Sequence, residues 1–281
     1  ADINIKRNKH WYKEEIEKLS TGAIISRLKY FGIKFDKQEF IEGIKKYHSA
    51  EDISEYWFEN YNITAERYDE DFLWLAAWIL CERYSEENIK CDEQLDEIII
   101  QGYDLVEYNR FIDACDLWLD AWNYLKLRFG ENGYQDIDKA SKDFKGDIYL
   151  NSWIYDMEMN LHNAGLDDKD YFTKRIKFCQ DIFELLPKSK ESIIRDMKRS
   201  EASSYFYLGD IKKGDEKFQK VINEYPNWVW GYISWGDMYG ISRVVPDPEK
   251  AEKIYRMAFE VKLEDKEDSL DFLHERLLNL E

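Results

Sequence analysis

One spacing of residues occurs twice near the C-terminal end of the chain and constrains the fold more than any other feature. In both places a small residue is followed at +4 by a large aromatic residue and at +7 by another apolar residue. The first set is Gly214, Phe218 and Val221, and the second set, 37 residues later, is Ala251, Tyr255 and Ala258. Residues with this spacing share one face of an α-helix. Small residues let two helices touch and large ones fill the gap to the next pair, so we expect helix pairs that stack.

The rest of the chain also has the apolar spacing of α-helices. Helix starts are indicated by polar residues that can cap a first turn. These are Asp36 with Glu39, Ser49 with Asp52, and Asp247 with Pro248. The run 72–80 is apolar on most sides, which predicts a central helix covered by its neighbours. Gly and Pro together number 17 of 281 residues, too few for a sandwich or barrel with many hairpins.

Glycine and proline also indicate where individual helices end. A helix is predicted over 138–163, with Gly165 as a left-handed C-terminal stop. The next helix is predicted over 168–186, before Pro187, and a later pair is predicted to turn at Gly209. Short breaks between long helices predict antiparallel neighbours.

The recurring spacing extends over three stretches of the chain. One stretch contains Tyr205, Gly209, Gly214, Phe218, Val221 and Pro226; the next contains Tyr232, Trp235, Gly236, Tyr239, Ala251, Tyr255 and Ala258; an earlier one contains Gly102, Leu105, Phe111, Ala114, Trp118 and Ala121. These patterns resemble the tetratricopeptide repeat (TPR), a helix–turn–helix unit. The resemblance implies an all-α, TPR-like right-handed α-superhelix of antiparallel helix pairs.

The resemblance also implies a domain organisation. Its clear units lie at about 95–128, 195–228 and 229–265, and the stretch 129–194 is degenerate because Arg175 replaces a small residue. Residues before 90 do not match the repeat. We therefore expect an N-terminal helical cap over 1–90 and a TPR-like array over 91–281.

A narrower resemblance is carried by the stretches YFTKRIKFCQDIFELLP, GDIKKGDEKFQKVINEYPNW, and WGDMY with PEKAEKIYRMA. They look like a group of uncharacterised bacterial proteins with TPR-like repeats, many of which end in a zinc-binding motif like the SecA C-terminus. That cysteine-rich motif is absent from this sequence, so no zinc site is carried over. The group has no assigned activity and therefore implies a fold rather than a function.

The charge of the chain is strongly negative and unevenly distributed. The net charge is −18, and residues 51–140 alone hold 7 Lys/Arg against 23 Asp/Glu. This balance disfavours nucleic acid and anionic membranes as partners. The acidic stretch is either a solvated helix surface or a face for a basic partner, and acidity alone does not separate the two.

Several sequence features point to a cytoplasmic protein. No run of 18 apolar residues predicts a membrane-spanning helix, and the first residues, ADINIKRNKHW, lack the apolar stretch of a signal peptide. The four cysteines form no CxxC pair and no disulfide framework. We therefore expect reduced thiols, a cytoplasmic location and no membrane association.

Motifs of common enzymes are missing from the sequence. It contains no GxGxxG, GxxxxGK[ST], GxSxG or HExxH, so we expect no cofactor, no metal and no enzyme. The most polar candidate cluster lies at 153–165, where Glu158 and His162 are spaced i, i+4. A hydrolase that uses this cluster is a remote alternative. A surface pair or an inter-helix hydrogen bond explains these residues more simply.

The repeat register predicts which side chains line the concave side of the superhelix. They are Ile99, Tyr103, Val106, Arg199, Ser203, Phe206, Trp230, Ile233 and Asp237. TPR proteins that hold a chaperone's C-terminal carboxylate use Lys and Asn at such positions. Here Arg199 matches in charge but Ser203 replaces the Asn, so that clamp is not expected.

This mainly apolar and aromatic groove suits a helix or an extended peptide with apolar anchors. We therefore predict a cytoplasmic protein–protein or peptide interaction module. The alternative is a regulator that responds to a peptide or an effector. Whether the groove is open or filled by the N-terminal helices stays open at this point.

Overall fold

The computed structural model describes residues 9–84, 89–240, 244–264 and 266–280. Within these ranges the protein is all-helical, with fifteen α-helices, two single 3₁₀ turns and no β-strand. The first seven helices are α1 (Lys13–Glu17), α2 (Thr21–Tyr30), α3 (Lys37–Tyr47), α4 (Ala50–Asn60), α5 (Asp71–Tyr84), α6 (Asp92–Glu107) and α7 (Phe111–Glu131). The other eight are α8 (Ile137–Asp143), α9 (Leu150–Asp167), α10 (Asp170–Leu185), α11 (Glu191–Tyr207), α12 (Ile211–Glu224), α13 (Val229–Tyr239), α14 (Pro248–Met257) and α15 (Lys266–Leu278).

The chain divides into two compact units, each built from more than one stretch of sequence. The first unit comprises Ala1–Asp104, Leu117–Leu127 and Ser141–Tyr149, and the second comprises Leu105–Asp116, Arg128–Ala140 and Leu150–Glu281. Helices α6 and α7 contribute residues to both units. The predicted cap over 1–90 lies in the first unit, and the predicted units at 195–228 and 229–265 lie in the second.

Three predicted helix caps are confirmed. The carboxylate of Asp36 accepts a hydrogen bond from the backbone N–H of Glu39 at 2.9 Å. Asp247 does the same for the N–H of Lys250 at 3.0 Å, and the hydroxyl of Ser49 caps α4. These side chains satisfy N–H groups that have no partner inside the helix, so they define where α3, α4 and α14 begin.

The prediction of one continuous helix over 138–163 is wrong. The backbone leaves the helical path between α8 and α9, where the N–H of Lys145 donates to Asp92 and that of Ile148 donates to Asp96, both at 2.9 Å. Both carboxylates belong to α6 and are buried. They satisfy N–H groups that a continuous helix would have bonded internally, and this tertiary contact is not visible in local sequence.

The prediction that Gly165 is a left-handed stop is also wrong, because Gly165 is a buried residue inside α9. A Cβ atom there would lie 2.8 Å from the ring of Phe172 in α10, so glycine is needed for close helix approach. Gly209, in contrast, has a φ of +85° and forms the predicted turn between α11 and α12.

Helix α5 is the centre of the first unit. Eight of its residues, from Phe72 to Cys81, are buried, and helices α1, α2, α3 and α4 all pack against it. The prediction of a covered, central helix is confirmed. Apolar side chains on most sides of one helix require neighbours on most sides, which is the arrangement seen here.

The second unit is a series of helix pairs. Each helix from α9 to α14 packs against the next one in the chain. In addition, α11 contacts α9 and α13 directly. Two glycines allow close approach in this series: a Cβ at Gly214 would overlap the ring of Phe206, and one at Gly236 would overlap the ring of Tyr255. Small residues at the predicted positions therefore let large aromatic side chains of the paired helix pack against the backbone.

Among the described helices, none combines the length and the apolar character needed to cross a bilayer. All four cysteines are buried and carry free thiols.

Candidate binding site

A polar cavity of about 250 Å³ lies in the second unit, beside α9, α11 and α13. Most of its lining comes from these three helices, and α10 contributes one residue. The lining residues are Glu158, Met159 and His162 from α9, Arg175 from α10, Arg199, Ser200, Ser203 and Tyr207 from α11, and Ser234, Asp237 and Met238 from α13.

Arg175 organises the base of the cavity. Its side chain is buried, and its Nε donates to the Glu158 carboxylate at 2.7 Å while Nη2 contacts the same oxygen. Its Nη1 donates to the hydroxyls of Ser203 and Ser204, both at 3.0 Å, and to the backbone oxygen of Ser200 at 3.2 Å. A buried guanidinium is tolerated only when its charge and its donors are matched, and here both conditions are met.

The Glu158–Arg175 pair controls the ionisation of the cavity. Burial alone would raise the pKa of Glu158, but the charge of Arg175 and hydrogen bonds from Ser200 and Arg175 hold that pKa below its usual range. Burial, aided by the Arg175 charge, lowers the pKa of His162 to about 4. At neutral pH the cavity therefore contains an ion pair and a neutral imidazole.

His162 is held in place by aromatic rings. Its ring meets Tyr207 edge to face at 5.0 Å and Phe172 at 5.6 Å, and the rings of Phe172 and Tyr207 stack at 4.6 Å. Its Nδ1 is buried and has no hydrogen-bond partner among the described residues.

Arg199 brings a second, more accessible guanidinium to the cavity. Its side chain is 29% exposed, and its closest carboxylate, Asp196, is 3.4 Å away, one turn earlier in α11. The guanidinium also lies 5.7 Å from the ring centre of Trp228, a buried residue. Partial exposure leaves this cation able to hydrogen-bond an anionic group that enters the cavity.

Asp237, on the α13 side, is already bonded within the protein. Its carboxylate accepts hydrogen bonds from the Tyr255 hydroxyl at 2.7 Å and from Nε of Arg276 at 3.0 Å. Burial raises its pKa despite these two partners. The Asp237 carboxylate is therefore already satisfied by Tyr255 and Arg276, whereas the partly exposed guanidinium of Arg199 can be reached by a ligand in the cavity.

Three of the residues predicted for the concave groove lie together in this cavity, namely Arg199, Ser203 and Asp237. Two others, Phe206 and Ile233, are 1% and 0% exposed and belong to the hydrophobic core. Both sit on the predicted helices, but neighbouring helices cover them, so they offer no surface to a ligand.

The remaining four predicted residues do not line the cavity. Trp230 is half-buried and packs against Phe272 of α15, with ring centres 5.0 Å apart. Ile99 is buried, and Tyr103 meets the edge of Trp118 at 4.9 Å. Val106 is half-buried.

The sequence did contain a signal for the residues that the groove prediction missed. Glu158 and His162 belong to the polar cluster at 153–165, and Arg175 is the residue that breaks the repeat pattern. The polar cluster and the residue that breaks the repeat pattern therefore meet in one cavity. Ser200, Tyr207, Ser234 and Met238 carried no comparable signal.

No group of three or more His, Cys, Asp or Glu side chains in the described ranges is arranged to hold a metal ion. No protein-family model matches this chain, and a search of curated proteins finds no significant match.

Proposed function

We propose that the second unit is a peptide-binding module built as a TPR-like superhelix. In this proposal α9, α11 and α13 are the first helices of successive pairs, and α10, α12 and α14 are the second helices. The direct contacts of α11 with α9 and α13 support this assignment, because first helices of stacked repeats lie side by side. The polar cavity lies along these three helices, where such arrays hold their ligands.

The observation that carries the proposal is the combination of groups in one cavity. Arg199 offers an accessible cation, while Ser203 and Ser234 offer hydroxyl groups. Met159, which is 53% exposed, and Tyr207 offer apolar surface beside them. We infer that the ligand is a peptide segment with a carboxylate next to an apolar side chain.

Binding fits the chemistry of the cavity better than hydrolysis. Glu158 and His162, the residues of the hydrolase alternative, do lie in the same cavity. The Glu158 carboxylate is bonded to Arg175, however, which holds its pKa low and makes it a poor proton acceptor. The imidazole, with a pKa of about 4, is likewise a weak base.

The cytoplasmic location stays part of this proposal, and the four free, buried thiols are consistent with it. A basic partner for the acidic stretch 51–140, one of the two interpretations of that stretch, is not part of this proposal, since no residue of the stretch lines the cavity.

The proposal can be tested by selecting binders to the full-length chain from a random peptide library. The dissociation constant of an enriched peptide is then measured by fluorescence anisotropy. Arg199→Ala should weaken binding at least about tenfold, since one charge-assisted hydrogen bond is worth about 1.5–3 kcal/mol. Ser234→Leu should also weaken binding, because it fills part of the cavity.

Lys212→Ala is the matched control, because Lys212 is an exposed cation on α12 and does not line the cavity. It should leave the dissociation constant within about twofold. Circular dichroism confirms that each variant is folded. Enriched peptides that bind all three variants and the parent equally, or a library from which nothing is enriched, would contradict the proposal.

A further inference from the structure

The first unit contains a second cavity, of about 320 Å³, between α3 and α4. Six of its thirteen lining residues are aromatic, a larger share than in the polar cavity of the second unit. The aromatic residues are Phe35, Phe40, Tyr47, Tyr56, Trp57 and Tyr61.

The rings of this aromatic wall contact one another in two groups, one around Phe40 and the other around Tyr56. Phe40 and Trp57 are both 5% exposed and lie 6.0 Å apart at its base. The rings of Tyr47 and Tyr56 are 5.8 Å apart, and Tyr56 meets Tyr61 edge to face at 6.5 Å. The three tyrosines are half-buried and so keep part of their surface toward the opening.

A glycine in the middle of α3 keeps this cavity open. A Cβ atom at Gly43 would lie 4.0 Å from Cγ1 of Ile53, an ordinary van der Waals distance. Neither helix packing nor a positive φ requires glycine here, and glycine weakens a helix interior. The missing side chain instead leaves free volume beside the aromatic wall.

The charges around the cavity favour a cation. The lining contains three carboxylates, of Asp36, Glu39 and Glu42, and two ammonium groups, of Lys34 and Lys46, so negative charge is in excess by one. All five residues are exposed. Asp36 is used as the cap of α3, whereas Glu39 has no ion-pair partner among the described residues.

The ammonium group of Lys46 lies beside one ring of the wall, near its hydroxyl. Nζ of Lys46 lies 4.7 Å from the ring centre of Tyr47 and donates to its hydroxyl at 3.1 Å. Burial and the negative charge of Glu39 raise the pKa of Tyr61, another residue of the wall. The Glu39 carboxylate is therefore close enough to act electrostatically on a group in the cavity.

We propose that this cavity binds a quaternary ammonium group, either of a free small molecule or of a trimethylated lysine side chain. The faces of aromatic rings attract alkylated ammonium ions, which shed water more easily than a primary ammonium. Glu39 and Glu42 add charge attraction at the rim. This site is independent of the peptide-binding proposal, because it lies within the first unit.

The test uses the full chain and two probes of the same shape, choline and its uncharged carbon analogue 3,3-dimethyl-1-butanol. Ligand-observed NMR should show saturable binding of choline, with an upfield shift of its methyl protons from the aromatic rings. The uncharged analogue should bind at least about tenfold more weakly. Equal binding of both probes, or no saturable binding of choline, would overturn the proposal.

Variants separate the roles of charge and space. The double variant Glu39→Gln and Glu42→Gln should weaken choline severalfold and leave the neutral analogue unchanged. Gly43→Leu should abolish choline binding by filling the cavity. Gly22→Leu in α2 is the matched control, because a Cβ at Gly22 meets nothing within 4 Å. Choline binding that survives Gly43→Leu in a folded protein would contradict the proposal.

A trimethyllysine peptide measured beside choline identifies the source of the group. Tighter binding of the peptide assigns a protein side chain as the ligand, and tighter binding of choline assigns a small molecule. An unmethylated lysine peptide that binds as tightly as the trimethylated one would count against the proposal, because the aromatic wall would then play no part.

Discussion

Neighbouring helices of the second unit pack together through two different kinds of junction. In α12 and α14 the residues that face the preceding helix are small, Gly214 and Ala251, and large aromatic rings pack nearby. In α10 the corresponding residue is Arg175, whose guanidinium is buried among Glu158 and three serines. One junction is apolar and close-packed, and the other is an ion pair bonded to small polar residues.

The difference shows what a departure from a repeat pattern can mean. Small residues need only space, so their helix pairs are stabilised by burial of apolar surface. Arg175 needs a carboxylate and several acceptors in fixed positions, and all of them are supplied by the adjacent helices α9 and α11. The buried ion pair of Glu158 and Arg175 contributes little net stability, but it places charged and hydroxyl groups beside a cavity.

The largest effect should follow from breaking the buried pair on one side. Glu158→Gln leaves the guanidinium of Arg175 buried without its counter-charge, so we expect a loss of about 3–5 kcal/mol in the free energy of unfolding. Urea denaturation followed by circular dichroism measures this loss. The exposed pair of Glu252 and Arg256 is the control: Glu252→Gln should cost about 0.5 kcal/mol or less.

Replacing both partners should be much milder than replacing one. Glu158→Leu together with Arg175→Met removes both charges and keeps most of the volume, so most of the lost stability should return. If Glu158→Gln cost no more than Glu252→Gln, the two kinds of helix junction would not differ energetically in the way described.

A smaller loss is expected at the apolar junction. Gly214→Ala places a methyl group where the ring of Phe206 packs, and overpacking of this kind costs about 1–3 kcal/mol. Gly130→Ala in α7 is the control, because a Cβ there meets nothing within 4 Å. It should be neutral or stabilise by up to about 1 kcal/mol through helix propensity. Equal effects of the two alanines would show that Gly214 is not needed for close approach.

The smallest expected effect is the contribution of His162 to the pH dependence of the free energy of unfolding. The folded protein holds this imidazole neutral with a pKa of about 4, against 6.5 for an unperturbed histidine. Between these values the unfolded chain binds more protons, so this contribution to stability is present above pH 6.5 and is lost as pH falls toward 4.

The pH dependence is tested by urea unfolding of the parent and of His162→Gln at pH 7 and pH 4.5. We expect the parent to lose about 1–2 kcal/mol more than the variant over this interval, a value reduced because the ring is partly exposed. Parallel pH profiles of the two proteins would mean that His162 does not titrate as described.

Much of the local structure was predictable from the sequence because its causes are local. Asp36, Ser49 and Asp247 cap the helices that follow them, and the apolar character of α5 indicated its central position. The break between α8 and α9 was not predictable. It depends on Asp92 and Asp96, which are about fifty residues away in sequence.

The candidate site was predictable only in part. Arg199, Ser203 and Asp237 were found from the repeat register, which assigns residues to a face of a helix. The register does not say whether another helix covers that face, so it also selected Phe206 and Ile233, which are buried. The aromatic cavity of the first unit had no signal in the sequence, since its residues come from α3, α4 and the residues that flank them, without a shared motif.

By itself the sequence determined an all-helical protein, the start of several helices and the uneven distribution of charge. Spacing, capping and composition act over a few residues, and these features depend on nothing more distant. Only the tertiary structure decided that Glu158, Arg175 and the α11 serines meet around one cavity, and that Gly43 leaves another open. Such sites depend on which helices approach each other and how closely, and that outcome is set by packing across the whole unit.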